Sequence, residues 1–541
     1  MFPLENAGKI WYNKVWIFSF EGGERVHKRY LKNFTGRLII TAFFAALQIL
    51  AFIVMLVMLS SYIIPISFTL AIISMLVVIL VINQNKNPAY KLTWSIIILT
   101  FPIFGGLMYL AASLQSSTYL FKKKAAKAKA VVEPYLHQDP AITEEIRAVS
   151  RTTAAHVSYL ATKASFPVYK NTEVTYLPSG EAKFDCLMEE LRRAKRFIFL
   201  EYFIIQEGIM WDSILKLLIS KAKEGVDIRL IWDGMGCIGT LPKNYDKTLR
   251  ELGIKVMIFN PFVPIATVIQ NNRDHRKIVV IDGHTAFTGG INLADEYINA
   301  YDRFGHWKDA AVMLRGDAVK SFTMMFLGHW YMANPTDPYI DKFLYRPAPG
   351  EFIIPTSRAD GYVQPYADTP LDGECVGELV YFNMINKAED YIYIMTPYFI
   401  PDNELLTALC FAAKSGIDVR IITPHIPDKW YVQQVTRSFY GVLLDAGVKV
   451  YEYTPGFIHS KVTVSDDRIA AVGSINFDYR SLYLHFECAA LIYNNPAILD
   501  AKRDFTEALK VSEEVTPEIY KKMRGRHGLV MSLLKLFAPL L

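Results

Sequence analysis

Two histidines, His275 and His459, open the same phrase: a lysine (Lys277, Lys461), an aspartate (Asp282, Asp466), then a small-residue turn and an asparagine (Asn292, Asn476). The offsets from histidine to lysine, aspartate, first glycine and asparagine are 2, 7, 14 and 17 in both copies. Near neutral pH histidine serves either as a neutral nucleophile or as a charged acid. Two of them can therefore attack one face of a centre and protonate the leaving group at the other. In an extended segment the lysine two residues on lies on the same side as the histidine, where its charge neutralises an anion under attack. The asparagine amide can donate to that anion, and the glycines let the backbone come close. Such His, Lys and Asn sets converging on one point describe a phosphoryl-transfer site that calls for no metal and no other cofactor.

The elements that must position these residues are themselves duplicated. From about Phe166 the chain gives Gly180, a helical stretch ending in LRRAKR, and the apolar strand from Phe197 to Ile204; from Gly373 it gives a helical stretch ending in INKAED and the strand from Tyr391 to Ile400. GVDIRLIWD at Gly225 matches GIDVRIITP at Gly416, and LRELGIKVMIF near Phe259 matches LLDAGVKVYEY near Tyr453. Strands alternating with helices predict an α/β fold with a parallel or mixed sheet in each half. One carboxylate follows each motif at the start of an apolar strand: Asp309, 34 residues after His275, and Glu487, 28 residues after His459. A carboxylate on one ring nitrogen fixes the tautomer and raises the basicity of the other, as if each repeat supplied an acid for its histidine.

The chain has 541 residues, room for two or three domains, and its 58 basic and 53 acidic residues leave a net charge of only +5. That balance argues against nucleic acid as the main partner. Cys186, Cys237, Cys375, Cys410 and Cys488 show no CxxC spacing, so neither a disulfide framework nor a zinc site is expected. The mean hydropathy is +0.18, and the apolar residues concentrate near the N-terminus. Leu38–Leu59, Tyr62–Ile82 and Leu92–Ala112 are uncharged or nearly so and long enough to cross a bilayer, as retained anchors rather than a cleaved signal. Arg25, Lys28, Arg29, Lys32 and Arg37 precede these runs and Lys122, Lys123, Lys124, Lys127 and Lys129 follow them. Three full spans cannot leave both basic clusters on one side. Either the apolar segments include a re-entrant pair, or the second cluster holds anionic headgroups at the surface. The expected organisation is a basic segment at 1–37, a transmembrane region at 38–112, a basic linker at 113–165, a first half at 166–345 and a second at 346–541. Phe259–Ala266, apolar and proline-rich, could dip into the interface or form a buried loop. LVMSLLKLFAPLL from Leu529 suits an interfacial helix or one docked on the core.

The doubled HxKxxxxD phrase resembles the signature of the phospholipase D superfamily. NNRDHRKIVVIDGHTAFTGGIN and FIHSKVTVSDDRIAAVGSINFDYRS resemble the bacterial cardiolipin synthases, and the likeness covers most of the chain. It implies two phospholipase D-like α/β halves about a pseudo-twofold axis with both motifs at the seam, preceded by transmembrane helices. It also implies His275 as the nucleophile that forms a phosphohistidine and His459 as the acid and then base, although near-identical motifs leave the swap physically open. In this reading Lys277, Lys461, Asn292 and Asn476 hold the non-bridging oxygens, Ser474 adds a hydroxyl, and Asp309 and Glu487 orient the histidines. Asp282 and Asp466 count among the residues of the catalytic signature, with a structural part. The resemblance implies two phosphatidylglycerol molecules as donor and acceptor, cardiolipin and glycerol as products, and a multi-pass protein of the cell membrane. A membrane-anchored phospholipase D acting with water, or a nuclease of the same superfamily, would use the same residues.

Overall fold

The computed structural model describes residues 46–54, 63–85, 87–113, 116–261, 271–335, 340–345 and 359–540. The basic segment 1–37, most of the first apolar run and Phe262–Ala266 lie outside the described residues. The molecule divides into two compact units, one running to Leu114 with Ile238–Pro242, the other comprising Gln115–Cys237 and Lys243–Leu541.

In the first unit the second apolar run is one uncharged helix, Ile63–Ile82. The third run, expected as one span, is two helices, Pro88–Thr100 and Pro102–Ser113. Pro102 lacks an N–H and disfavours helical geometry at Phe101, so the helix stops and restarts there. Gly105 then allows a close approach, since a Cβ on it would stand 2.6 Å from the Ile97 carbonyl oxygen. Trp94 and Tyr109 pack edge to face across the turn at 5.3 Å. Among the described residues no helix is long and apolar enough to cross a membrane; the side chains of Ile63, Ile64 and Pro65 are not among them.

The stretch expected as a basic linker is part of the second unit and folds into helices Ser116–Val132, Pro140–Val149 and Arg151–Thr162. The first half then forms β1 (Thr172–Leu177), β2 (Phe197–Tyr202), β3 (Asp227–Asp233), β4 (Lys255–Phe259), β5 (Ile278–Ile281), β6 (Thr285–Gly289), β7 (His306–Lys308) and β8 (Ala311–Gly316). The second forms β9 (Tyr362–Asp368), β10 (Tyr391–Met395), β11 (Phe399–Ile400), β12 (Asp418–Pro424), β13 (Lys449–Tyr453), β14 (Gly456–Ile458), β15 (Val462–Ser465), β16 (Ile469–Gly473), β17 (Phe477–Asp478), β18 (Glu487–Tyr493) and β19 (Ser512–Glu514).

The first sheet runs β1-β8-β6-β5-β2-β3-β4 and the second β9-β18-β16-β15-β10-β12-β13-β19, so the two orders match strand for strand with β19 added at one edge. β2, β3 and β4 are parallel, as are β10, β12 and β13, whereas the motif hairpins β5-β6 and β15-β16 are antiparallel. The strands are buried almost throughout, which explains why they read as continuous apolar runs rather than as alternation. Helices Val319–Ala333 and Ala497–Lys510 join residues of both sheets in one core that includes Phe199, Val280, Phe326, Val464, Ala490 and Phe505. The C-terminal helix Pro517–Leu536 docks on the helix Trp430–Asp445, where Lys535 Nζ lies 4.2 Å from the Phe439 ring and Met531 is buried.

Candidate active site

Each motif begins where one half bridges to the other. β14 pairs in parallel with β7, aligning Phe457 with Trp307 and Ile458 with Lys308, so the next residues are His459 and Asp309. On the other side Asp274 makes a parallel bridge with Phe486, so the next residues are His275 and Glu487. Backbone bonds fix both registers: His459 N donates to the Lys308 carbonyl at 2.6 Å, and His275 N to the Phe486 carbonyl at 2.9 Å. The acids are therefore exchanged. His275 Nδ1 lies 2.9 Å from Glu487 Oε1, and His459 Nδ1 lies 2.6 Å from Asp309 Oδ2. The expectation that each repeat provides for its own histidine is corrected: each acid serves the histidine of the other half.

All four groups are buried. With Nδ1–H given to a carboxylate, each ring turns an unprotonated Nε2 away from its acid. Burial pushes His275 down to about 3 and His459 well down, so both rings are neutral at pH 7. Burial pushes Asp309 up to about 6 against the pull of Lys461, Lys277 and Lys308. Burial also acts to raise Glu487, but contact with His275 and the charge of Lys277 hold it well below the ordinary carboxylate range. Hydroxyls of Ser474 and Ser481 donate to the same carboxylate, the latter at 2.7 Å. Ser474 also accepts from Cys488 N at 3.0 Å. Its hydroxyl is thus committed to orienting Glu487, which corrects the expectation that it faces a phosphate.

Lys277 Nζ donates to the His275 carbonyl at 2.5 Å, while Lys461 Nζ bonds the His459 carbonyl and lies 2.9 Å from His459 Nδ1. Burial pushes Lys277 down to about 8 and Lys461 to about 7. Asn292 accepts from Ile204 N at 3.1 Å and donates to the Tyr297 hydroxyl at 2.7 Å, whereas Oδ1 of the buried Asn476 has no partner among the described residues. Asp282 and Asp466 stand apart from this centre. Each sits in a left-handed turn at φ 53°. Asp282 accepts from the backbone N–H groups of Lys195, Arg196 and Phe197 at 2.7–2.9 Å, and Asp466 from those of Glu389, Asp390 and Tyr391 at 2.9–3.0 Å. Both tie the motif hairpin to the start of the central strand.

Several neighbours of the histidines lie outside the two motifs. Trp307, two residues before Asp309, lies 5.4 Å from the His459 ring at 47°; His485, two residues before Glu487, lies 5.6 Å from the His275 ring at 44°. Tyr297 and Phe457 complete an aromatic wall around His459 at 5.5 and 5.8 Å, and Phe203 packs on His275 at 5.1 Å. Among the described residues neither ring nitrogen of His485 has a hydrogen-bond partner, and its Nδ1 stands 3.8 Å from Glu487 Oε1. Lys183 is buried beside the site, donating to the Tyr202 hydroxyl at 3.1 Å and the Ile291 carbonyl at 3.0 Å. The matching offset of Trp307 and His485 from the two acids was the available signal in the sequence.

Among the described residues three groups bring metal-ligating atoms within 4.8 Å of one another: His275–His485–Glu487, Glu201–Asp274–His329 and Glu378–Asp402–Glu404. In the second the Arg276 guanidinium, 2.6 Å from Glu201 and 3.3 Å from Asp274, already supplies the positive charge.

Comparison with known proteins places this geometry. A family model described as "Cardiolipin synthase, PLD-like domain" matches twice, at residues 187–315 and 381–509, and a "Phospholipase_D-nuclease N-terminal" model matches residues 70–113. The cardiolipin synthase of Alkalihalophilus pseudofirmus is 34% identical over 476 residues, covering 88% of this chain and 93% of that protein. The chain belongs to the cardiolipin synthase family. Cardiolipin synthase 2 of Bacillus anthracis is 36% identical over 473 residues, covering 85% and 88% of the two chains, and an uncharacterised Streptococcus mutans protein is 46% identical over 467 residues, covering 86% and 99%. Both family domains carry one motif each, so the match duplicates as the sheets do. The crystal structure of a phosphatidylserine synthase from Haemophilus influenzae shares the fold, with a TM-score of 0.52 at 15% identity over 72% of this chain and 100% of that one.

Proposed function

We propose that this chain transfers a phosphatidyl group from one phosphatidylglycerol to a second, giving cardiolipin and glycerol through a phosphohistidine. The observation that carries the reading is the pair of exchanged histidine–acid couples, His275–Glu487 and His459–Asp309, each with a buried lysine two residues on. The named relatives support the choice of lipid alcohol over water as acceptor.

In the first step His275 Nε2 attacks phosphorus, the bond from phosphorus to the glycerol oxygen breaks, and His459, which takes up a proton on Nε2 when the anionic phosphate binds beside it, gives that oxygen the proton. In the second, a glycerol hydroxyl of the other lipid attacks phosphorus, His459 takes its proton, and the phosphorus–nitrogen bond breaks. Lys277 and Lys461, with the amides of Asn292 and Asn476, meet the non-bridging oxygens as charge grows on them. The different acids support this division of labour. An ionised Glu487 suits a ring that becomes positive when phosphorylated, whereas Asp309, pushed up to about 6, suits a ring that gains and loses a proton in each cycle.

Attachment to the membrane as a multi-pass protein belongs to the same reading. It is supported by the apolar runs of the sequence before the two halves and by the match of residues 70–113 to the phospholipase D-nuclease N-terminal family model.

The test is to give the purified protein phosphatidylglycerol alone and follow its products. Cardiolipin with stoichiometric glycerol is expected; phosphatidic acid without cardiolipin would overturn the transferase reading.

A further inference from the structure

The lysines of the helix Ser116–Val132 have no part in the chemistry above, yet they border an apolar recess near it. A cavity of about 250 Å³ opens between this helix, Val319–Ala333 and the start of Val376–Asn386. Its wall is formed by Ala125, Val132, Phe166, Met324, Met325 and Met332. Alanines leave the room, and methionines adapt their shape to a flexible guest. At its inner end stand Arg276 and Phe486, the immediate neighbours of His275 and Glu487. Successive side chains of an extended segment point to opposite faces, so the recess lies behind the reaction centre rather than within it.

The charges at the mouth are unevenly committed. Glu133 accepts from the Ser165 hydroxyl at 2.7 Å, Glu374 from the Tyr159 hydroxyl at 2.7 Å, and Asp372 from Glu374 N at 3.2 Å. Asp368, also lining the cavity, is buried with its carboxyl held well above the ordinary range by desolvation and accepts from Gly377 N at 2.7 Å. Lys122, Lys129 and Lys163 line the same mouth, and their ammonium groups have no hydrogen-bond or ion-pair partner among the described residues. An apolar slot ringed by uncommitted ammonium groups is complementary to an anionic amphiphile.

We propose that this recess is a second lipid site, holding one acyl chain of an anionic phospholipid with its phosphate on Lys122, Lys129 and Lys163, separate from the lipid undergoing reaction. Chain burial supplies affinity along the Ala and Met wall, and the lysines select a net negative headgroup over a zwitterionic one.

The test uses the full-length protein in phosphatidylcholine nanodiscs doped with phosphatidylglycerol carrying a diazirine midway along one acyl chain, with adducts mapped by mass spectrometry after irradiation. Adducts are expected on Met324, Met325, Met332 or Phe486. They are expected to fall about tenfold in Ala125→Trp, roughly what losing two buried methylenes removes. Combined Lys122→Glu, Lys129→Glu and Lys163→Glu, at exposed positions that leave the core intact, are expected to lower them about fivefold or more. Labelling needs no turnover, so it is expected to persist in His275→Ala; this separates failure of the second site from failure of the proposed reaction. The inference is overturned by any of four results: no adducts in the recess, adducts unchanged in both variant proteins, equal labelling by the same diazirine chain on phosphatidylcholine, or loss of labelling in His275→Ala.

Discussion

The two halves build the same arm twice and then furnish it differently. In each, a parallel bridge between halves sets a histidine beside an acid, and an aspartate ties the motif hairpin to its sheet. Around His275 the acid is Glu487, which accepts from two serine hydroxyls, with the imidazole of His485 nearby. Around His459 the acid is Asp309, which accepts from Ala310 N at 2.7 Å, and the neighbouring ring is the indole of Trp307. Duplicated backbone registers thus impose the geometry of a paired site, while a few side chains split the electrostatics into a steady arm and a titrating one. The lesson is that symmetry supplies the positions and a few side chains make the two environments unlike.

The strongest way to break this comparison is to remove one acid at a time. Glu487→Gln and Asp309→Asn are each expected to lower kcat by roughly 10²–10⁴. Diethylpyrocarbonate modification, mapped by peptide, is expected to change at His275 in the first variant and at His459 in the second. Changes confined to the histidine of the same half would refute the exchange.

A second experiment sharpens the role of the lysines. Their pKa values are depressed from the ordinary lysine range, to about 8 at Lys277 and about 7 at Lys461, so their charge is complete below those values and lost as pH rises through them. KM for the lipid phosphate is expected to rise about tenfold between roughly pH 6.5 and pH 9, with kcat less affected. A flat KM over that span would remove the lysines from anion binding.

The smallest effect concerns the structural aspartates. Asp282→Ala strips an acceptor from three backbone N–H groups and is expected to cost about 2 kcal/mol in a denaturant titration of the catalytic unit. Asp466→Ala, at a more exposed turn, is expected to cost less. Equal and large losses of kcat with unchanged stability would place these residues in the chemistry instead.

Much of this site was legible in the sequence, because a nucleophile, a cation and an amide at fixed offsets leave few alternative explanations when repeated. The repeated alternation of strands and helices was legible too, since buried parallel strands read as apolar runs. The exchange of acids was not. The paired groups lie 150 and 212 residues apart, and the bridges that align them, at Lys308–Ile458 and Asp274–Phe486, are tertiary contacts with no local pattern. Ser474 was misjudged for a related reason: its offset matches a phosphate-facing position, but its hydroxyl is taken by Glu487 from the strand beside it. The break at Phe101–Pro102 was visible as a proline, yet hydropathy summed over the run outweighed it.

The central claim is that the exchanged couples form one site in which His275 is the nucleophile. The most direct measurement is a rapid alkaline quench of the enzyme turning over phosphatidylglycerol radiolabelled at phosphorus, followed by peptide mapping. The account predicts label on the peptide containing His275, lost in Glu487→Gln. Label on the His459 peptide, or release of product from a fully active enzyme with no labelled histidine at any quench time, would contradict it.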